Sequence, residues 1–423
     1  MSNRALILGG ELRNKGSQDM SFRAVVAARE LLGLEPVLLS TADTGPSLGN
    51  RVRGLRAAID VGDLAFEVSF NGMELLPGLP TTGRTAKRMA KQAVMKVLYA
   101  RQLHDFKRAL EDAEVCLDVS GFAFSAQRGF ARCMQYLDRI QTLHDYGVPT
   151  YLLPQSFGPF LFDDSRCEGA LRERARKVLR YPRLICARER QGLDDIRALC
   201  PDANCVHVPD LVLQGADLDP SDLFVDPATL PVHPGIVGSP NVGVVPNAKA
   251  FDAGDENDVL ALWGLVVQEL LDRGYGVHVI RHAEDDLQRC LQVKGLFEKD
   301  DRVRLHAKNR LCFEYGDLFR ACDFVVASRY HSIVHAYKSG VPCVALGWAE
   351  KYRELLGMFG QDGYGHDVRH LDEQVVRDVL ASLLRMSQNH VAESSAIRAK
   401  MRDVRQLPSA LDLVAKDFGA LKP

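Results

Sequence analysis

Apolar and polar positions follow two alternating patterns along this 423-residue chain. Short and nearly continuous apolar runs, such as 5–10 and 115–121, are separated by longer stretches with apolar residues at helical spacing, such as 18–33. Buried strands that alternate with helices are typical of a parallel sheet covered on both faces. Further strand-like runs of the first half are 36–40, 148–156, 183–188 and 205–210.

The same alternation returns after a proline-rich interval, residues 214–240, that has little periodicity. We therefore predict an α/β protein of two Rossmann-like domains, with parallel sheets, helices on both faces and a central cleft. The predicted boundaries are 1–215 for the first domain, 216–240 for a linker, 241–390 for the second domain and 391–423 for a helical tail. Strand-like runs of the second half are 241–247, 276–282, 302–307, 322–328 and 341–347.

Composition narrows the class of protein without naming a function. Apolar residues make up 46% and charged residues 26%, which is typical of a globular protein. The net charge of −2 gives no overall signal for nucleic acid. The ten cysteines form no C-x-x-C pair, which predicts free thiols and no metal site. The N-terminal run is typical of a strand rather than a signal peptide, and no run approaches the ~20 apolar residues of a membrane span, so we predict a cytoplasmic protein.

One segment, residues 84–108, is rich in basic residues with apolar residues between them. It is either a surface helix with a solvated basic face or a contact with a lipid-linked or anionic acceptor at the inner face of the plasma membrane. Its basic residues are Arg84, Lys87, Arg88, Lys91, Lys96, Arg101, Lys107 and Arg108.

Candidate chemistry is concentrated where a strand-like run ends at Ser328. Arg329 and His331 follow at a predicted helix N-terminus, where free N–H groups and the helix dipole attract anions. Arg329 offers a planar charged fork for carboxylate or phosphate, and a histidine such as His331 can give or take a proton. Lys351 follows the next strand and could reach the same edge of the sheet. The alternatives are that Arg329 is a salt bridge fixing the turn, and that His331 is a helix cap or a core residue.

The order of these motifs resembles the polysaccharide pyruvyl transferase family. The segment 328–352, SRYHSIVHAYKSGVPCVALGWAEKY, is similar to the family's signature of a strand end, a short helix and a further strand. Other matching segments, in order, are GGELRNKGSQD (9–19), DVSGFAFS (118–125), LLPQSFGPF (152–160), CARER (186–190), VPD (208–210), VGVVPN (242–247) and RHAEDD (281–286).

The resemblance implies transfer of a pyruvyl group from phosphoenolpyruvate to two hydroxyls of a polysaccharide or its lipid-linked precursor. It implies that His331 is the acid, with Arg329 holding the donor beside it, and that Glu189 orients Arg188. No metal or organic cofactor is required, because phosphoenolpyruvate supplies the driving force. The donor-binding residues that the resemblance implies are Arg188, Arg329 and His331. Ser328 and Lys351 complete the predicted donor-binding set by their position at strand ends.

The acceptor is expected on the N-terminal side, at small and polar residues near strand ends. Two departures from the family pattern fall there: Phe122 and Ala123 replace glycines, and Ser17 replaces an acidic residue. The glycines could equally serve tight turns, and the polar pair 155–156 could serve a strand-to-loop turn. The predicted acceptor-binding residues are Asn14, Gly16, Ser17, Asp19, Gly121, Gln155 and Ser156.

Two other functions are compatible with the same residues. One is a glycosyltransferase of the GT-B type, which has the same two-domain architecture and uses a nucleotide-sugar donor, since fold alone does not separate the two chemistries. The other is a non-catalytic protein that binds saccharide or scaffolds a polysaccharide assembly. The presence of Arg188, Arg329 and His331 favours pyruvyl transfer over both.

The basic segment 84–108 gives the first testable prediction. Reversing its charges should reduce the fraction of protein that sediments with anionic vesicles, because attraction to the lipid headgroups is lost. Equal sedimentation of the variant and the natural protein would leave the segment a plain surface helix.

Overall fold

A computed structural model describes residues 3–40, 63–73, 76, 94, 96, 97, 100–347 and 350–421. Its internal contacts divide the chain into two compact units. The first unit comprises Met1–Leu12, Met20–Leu230 and Leu407–Pro423. The second comprises Arg13–Asp19 and Pro231–Gln406.

The first unit contains a seven-stranded parallel sheet in the order β3-β2-β1-β4-β5-β6-β7. The order reverses between β1 and β4, and the carboxyl ends of the strands beside such a switch are the usual place for ligands in open α/β sheets. The strands are β1 (Arg4–Leu8), β2 (Glu35–Ser40), β3 (Glu67–Phe70), β4 (Ala113–Asp118), β5 (Thr150–Gln155), β6 (Leu184–Ala187) and β7 (Cys205–His207).

Helices cover both faces of this sheet, because its strands are apolar on both sides. Every residue of β5 is buried, and separate apolar clusters form around Leu6 and around Leu152. The helices are α1 (Lys15–Glu30), α2 (Ala100–Glu111), α3 (Phe130–Asp145), α4 (Ser165–Val178), α5 (Arg190–Leu199) and α6 (Leu211–Gln214), with short 3-10 turns at 126–128, 220–222 and 227–229.

The second unit repeats the topology in a six-stranded parallel sheet of order β10-β9-β8-β11-β12-β13. Its strands are β8 (Asn241–Val245), β9 (Gly276–Ile280), β10 (Val303–His306), β11 (Phe324–Ala327), β12 (Cys343–Gly347) and β13 (Gly365–Asp367). Its helices are α7 (Ala248–Ala253), α8 (Glu256–Asp272), α9 (Leu287–Gly295), α10 (Glu314–Arg320), α11 (Tyr330–Lys338), α12 (Glu350–Met358) and α13 (Glu373–Gln406), with 3-10 turns at 284–286 and 362–364.

The predicted fold class, two parallel α/β sheets with helices on both faces, is confirmed. The chain passes from the first unit to the second after Leu230, inside the predicted linker 216–240. Residues 13–19 differ from the prediction of a first domain 1–215, because their contacts assign them to the second unit.

The predicted boundary at residue 390 is wrong, since helix α13 continues through it to Gln406. The last helix, α14 (Ala410–Gly419), belongs to the first unit. Asp417 on α14 accepts hydrogen bonds from the Tyr151 hydroxyl at 2.6 Å and from the Arg183 guanidinium at 2.8 and 2.9 Å. The C-terminal residues are therefore an integral layer of the first sheet rather than a separate tail.

Most of the basic segment 84–108 lies outside the described residues, which here are 94, 96, 97 and 100–108. Residues 100–108 fall in α2. Leu103 and Phe106 of that helix are buried in the first unit. Within the described chain, no helix is both long enough and apolar enough to cross a membrane. All ten cysteines are free thiols, and eight of them are buried.

Candidate functional site

The central strands of the second sheet deliver several polar residues to one edge. Strand β8 lies between β9 and β11, and all three are parallel, so their carboxyl ends are adjacent. Asn247, His282 and Ser328 follow these three ends and are all buried. This edge contains most of the residues that the sequence had indicated in the second half.

The Asp286 carboxylate joins the three strand ends. One of its oxygens, Oδ1, accepts the backbone N–H of Ala248 at 2.9 Å, and the other, Oδ2, accepts that of Ala283 at 3.0 Å. The Arg329 Nε donates to both oxygens at 3.1 and 2.9 Å, and Nη2 donates to Oδ1 at 2.5 Å. Because Asp286 is fully buried, this set of charged hydrogen bonds fixes the loops after β8, β9 and β11 relative to one another.

Arg329 is therefore a structural cation at this edge. A second carboxylate, Asp285, accepts from its Nη2 at 2.6 Å. Burial works to lower the pKa of the guanidinium, but the ion pair with Asp286 outweighs it and raises the pKa above its ordinary value. These contacts agree with the alternative in which Arg329 forms a salt bridge that fixes the turn. A role of Arg329 in donor binding remains a prediction.

Ser328, a predicted donor-binding residue, is also committed to the fold. Its carbonyl accepts the Asn247 side-chain amide at 2.8 Å and the Tyr352 hydroxyl at 3.0 Å, and its own hydroxyl lies 3.4 Å from the Val245 carbonyl. Lys351 places its ammonium 5.6 Å from the centre of the Tyr330 ring and 5.7 Å from that of Tyr352. Donor contact by either residue remains a prediction.

His331 lies in the first turn of α11 and packs directly on the backbone of Gly16. A Cβ atom at position 16 would fall 2.0 Å from His331 Cγ and 2.1 Å from Nδ1, far inside van der Waals contact. Only glycine leaves room for the ring in this position. Glycine is therefore required at position 16 because the His331 ring approaches its backbone closely, and not because the chain turns there.

The segment 13–19 is held to the second unit by further contacts. Asn14 forms an isolated bridge with Ala283, and Arg13 pairs with Glu284 at 3.4 Å. The Gln18 side-chain oxygen accepts the Cys312 N–H at 2.8 Å. Asn14 also caps α1, because its Oδ1 accepts the N–H of Gly16 at 3.0 Å and that of Ser17 at 3.5 Å.

Asp19 completes these contacts, with a carboxylate oxygen 3.8 Å from Nδ1 of His335. Four of the seven predicted acceptor residues, Asn14, Gly16, Ser17 and Asp19, thus belong to the second unit, together with the predicted donor residues Arg329 and His331. Their assignment to the N-terminal domain is wrong. The reason is that the first turn of α1 packs on loops of the second sheet, which no local pattern in the sequence shows.

Two residues that the sequence analysis did not select, Lys15 and His282, are buried in the same place. Each is only 1% exposed. Burial lowers the pKa of Lys15 to about 8. Burial also holds the pKa of His282 well below its ordinary value, helped by the charges of His335, Arg329, His331 and Lys15. His282 is therefore a neutral imidazole surrounded by basic groups.

The position of His282 carried a usable signal, because it follows directly after β9 at the carboxyl edge of the sheet. Asp286 lay in the matched segment 281–286 but could not be distinguished there from its acidic neighbours. Lys15 carried no signal, since a lysine at the start of an amphipathic helix is ordinarily solvated. Among the described residues, no group of three or more His, Cys, Asp or Glu side chains could hold a metal ion.

Arg188, the remaining predicted donor residue, lies in the first unit after β6. Its guanidinium donates to Asp210 at 2.8 Å, to Glu189 at 3.1 Å and to the Ser156 hydroxyl at 2.7 and 2.9 Å. Its side chain is only 2% exposed. Glu189 does contact Arg188, as the expectation that it orients the guanidinium requires.

The other predicted acceptor residues, Gly121, Gln155 and Ser156, also lie at the carboxyl edge of the first sheet. Gly121 has φ of 67°, which favours glycine, and its carbonyl accepts the Ser156 N–H at 2.8 Å. The Gln155 side-chain oxygen accepts the Tyr136 hydroxyl at 3.2 Å. Its amide nitrogen is buried and has no hydrogen-bond partner within the described chain. Gln155 thus retains two N–H groups that could donate to a ligand.

Solved structures define the fold class of this arrangement. The chain is similar to a UDP-forming trehalose-phosphate synthase from Burkholderia vietnamiensis, with a TM-score of 0.53 and 11% identity over 100% of this chain and 97% of the other. It is similar to the rhamnosyltransferase SpnG, with a TM-score of 0.53 and 14% identity over 98% and 99%. It is also similar to HepE from Anabaena, with a TM-score of 0.52 and 10% identity over 99% of both chains. These similarities assign the chain to the GT-B fold.

The family model for polysaccharide pyruvyl transferase matches residues 99–350, more than half of the chain. The match includes His282, Asp286, Arg329 and His331 at the edge of the second sheet. It also includes Arg188 and its hydrogen-bond partners in the first unit. The chain belongs to the polysaccharide pyruvyl transferase family and is a transferase.

The contact between Gly16 and His331 can be tested by Gly16→Ala. We expect a loss of roughly 1–3 kcal/mol in the free energy of unfolding, because the new methyl group overpacks the site. A shift of the His331 ring signals in NMR spectra should accompany the loss. Gly295→Ala is the matched control, since a Cβ there meets no atom within 4 Å. Equal stability of both variants would contradict the described packing.

The burial of Lys15 predicts a pH dependence of stability. Between pH 8 and 10.5 the unfolded chain keeps the Lys15 proton while the folded chain releases it, so this residue makes stability rise with pH. The rise should reach about 3 kcal/mol at its limit. Urea unfolding of the natural protein and of Lys15→Met at several pH values should give a difference curve with this rise. The control is Lys249→Met, which removes an exposed lysine and should leave the dependence of the free energy of unfolding on pH unchanged. If the difference between Lys15→Met and the natural protein does not change with pH, Lys15 is solvated.

Proposed function

We propose that the protein transfers a pyruvyl group from phosphoenolpyruvate to two hydroxyls of a saccharide and so forms a cyclic ketal. The observation that carries the proposal is the set of basic residues around His331 at the carboxyl edge of the second sheet. This set combines Lys15, His282, Arg329 and His331 within one unit of the fold. Membership in the pyruvyl transferase family supports it.

The donor requires such a set, because phosphoenolpyruvate carries a phosphate and a carboxylate on a three-carbon unit. Anions of this density are bound by several cations and N–H donors in a partly dry site. Lys15 and Arg329 supply cationic N–H donors, and the imidazoles of His282 and His331 supply ring nitrogens.

The reaction balances without any other reagent. A proton is added to the methylene carbon of the donor, and the first sugar hydroxyl forms a C–O bond to the carbon that thereby becomes electron-poor. The bond from that carbon to the phosphate oxygen breaks, and the second hydroxyl closes the ketal. One hydroxyl proton ends on the new methyl group and the other on the phosphate. We assign the first proton transfer to His331, with Arg329 keeping the ring-bearing loop in place.

For the acceptor, each unit taken by itself offers small and polar residues at the carboxyl edge of its sheet. Gln155 offers unused N–H groups at the edge of the first sheet, beside Gly121 and Ser156. Asn14, Gly16, Ser17 and Asp19 lie near His331, where an attacking hydroxyl must arrive. A lipid-linked precursor of an exopolysaccharide or capsule, modified at the cytoplasmic face of the cell envelope, is the acceptor class that we propose.

A donor comparison tests the function. Purified protein should transfer label from phosphoenolpyruvate to lipid-linked or nucleotide-linked saccharides, and the product should show the mass of an added pyruvate ketal. Labelled nucleotide sugars serve as the competing donors, because the fold is also that of glycosyltransferases. Transfer from a nucleotide sugar alone, or from neither donor, would contradict pyruvyl transfer.

In the same assay His331→Ala should reduce kcat by about 100-fold or more, as expected for loss of a general acid. Circular dichroism and thermal melting should show that the variant remains folded. His370→Ala is the matched control, since His370 is exposed in the same unit. A kcat of His331→Ala within a few-fold of the natural value would remove this residue as the acid.

A further inference from the structure

We propose that Lys15 and His282 form the subsite that binds the phosphoryl group of the donor, while the carboxylate is bound elsewhere in the site. This inference rests on the proposed function for the identity of the donor. It adds two residues that lie in sequence 267 positions apart and are brought together only when the first turn of α1 packs on the second sheet.

The first argument is the distribution of charge at this edge. The neighbouring arginines already have partners. Arg329 pairs with Asp285 and Asp286, Arg13 with Glu284, and Arg310 with Glu314. Arg281 donates to the backbone carbonyls of Ala283, Glu284 and Ala307. Lys15 is different. Within the described part of the chain its ammonium has neither a hydrogen bond nor a carboxylate within 4.0 Å, although the residue is only 1% exposed.

The second argument is the state of His282. Both of its ring nitrogens are buried and have no hydrogen-bond partner among the described residues. The ring is held by edge-to-face packing on Tyr315, with 5.2 Å between ring centres, and lies 6.0 Å from the ring of His335. Leaving such a group unsatisfied costs about 1–3 kcal/mol, so an unpartnered polar ring in a folded protein indicates a ligand or functional role.

The third argument joins the two residues. The isolated bridge between Asn14 and Ala283 places the segment of Lys15 beside the segment of His282. The charge of Lys15 also contributes to the lowered pKa of the His282 ring. A buried cation beside a buried, neutral N–H donor offers an anion both charge and direction. Neither group would lose an existing partner when the anion arrives.

The chemistry of the two groups favours phosphoryl over carboxylate. A lysine ammonium is a compact charge with three donors, which suits a tetrahedral dianion, whereas planar carboxylates are matched best by arginine forks. The phosphoryl group also has enough oxygens to accept from Lys15 and His282 at once. As the leaving group of the proposed reaction, it gains charge in the step that these donors would assist.

Binding of small anions tests the inference directly. Isothermal titration calorimetry in phosphate-free buffer would measure the affinities of inorganic phosphate, phosphoenolpyruvate and pyruvate. The variants are Lys15→Met and His282→Phe, which keep similar volume and remove the polar groups. Lys249→Met is the matched control, because its ammonium is exposed and pairs with Asp252 at 3.0 Å.

We expect Lys15→Met and His282→Phe each to weaken phosphate and phosphoenolpyruvate binding roughly tenfold or more, as for loss of a charged hydrogen bond. Pyruvate, which has the carboxylate alone, should bind the variants and the natural protein equally. Both variants should melt at or above the natural temperature without phosphate, since each removes an unpartnered buried group. If His282→Phe fails to fold, Lys15→Met alone decides the question.

Unchanged phosphate affinity in Lys15→Met would overturn the inference, as would an equal loss for pyruvate and phosphate. These outcomes are distinct from failure of the proposed function. Pyruvyl transfer with unaltered phosphate binding would retain the function and remove the subsite. Loss of phosphate binding in the variants of a protein that transfers no pyruvyl group would retain the subsite and remove the function.

Discussion

The buried ion pair between Asp286 and Arg329 is the interaction on which the candidate site depends. Its carboxylate also accepts two backbone N–H groups, so one side chain connects the loops after three adjacent strands. A fully buried carboxylate is tolerated only when its charge and lone pairs are satisfied, and removing one partner of such a pair costs about 3–5 kcal/mol. The arrangement is therefore rigid, and it gives His331, two residues beyond Arg329, a fixed starting point for α11.

This pairing changes which basic residues are expected to bind the donor and which are expected to stabilise the loops. An arginine at a strand end suggests a ligand for the donor, yet Arg329 and Arg188 each pair with two carboxylates of the chain itself. Their first task is to hold loops in place. Lys15 and His282 are buried as well, at a desolvation cost, and the described residues supply no hydrogen-bond partner to either side chain. Such buried, unmatched polarity is characteristic of sites prepared for a ligand.

The first turn of α1 packs on the second unit, which its own sequence does not indicate. Gly16 admits the His331 ring, Gln18 accepts an N–H from the loop at Cys312, and Asp19 lies beside His335. A glycine-rich segment after the first strand therefore packs at the carboxyl edge of the second sheet. In this chain the glycine at position 16 is explained by its packing against the His331 imidazole.

The sequence by itself determined the two parallel α/β sheets, because continuous apolar strands and amphipathic helices are local patterns that burial on two faces requires. It also indicated the edge residues Ser328, Arg329 and His331, since the end of a buried strand is visible in the apolar pattern. Only the tertiary structure decided which charges are neutralised, as Asp286 and Arg329 are 43 positions apart and their pairing depends on strand order. The same holds for Lys15 and His282, whose burial arises from contacts between distant segments, and hydrophobic periodicity carries no information about such contacts.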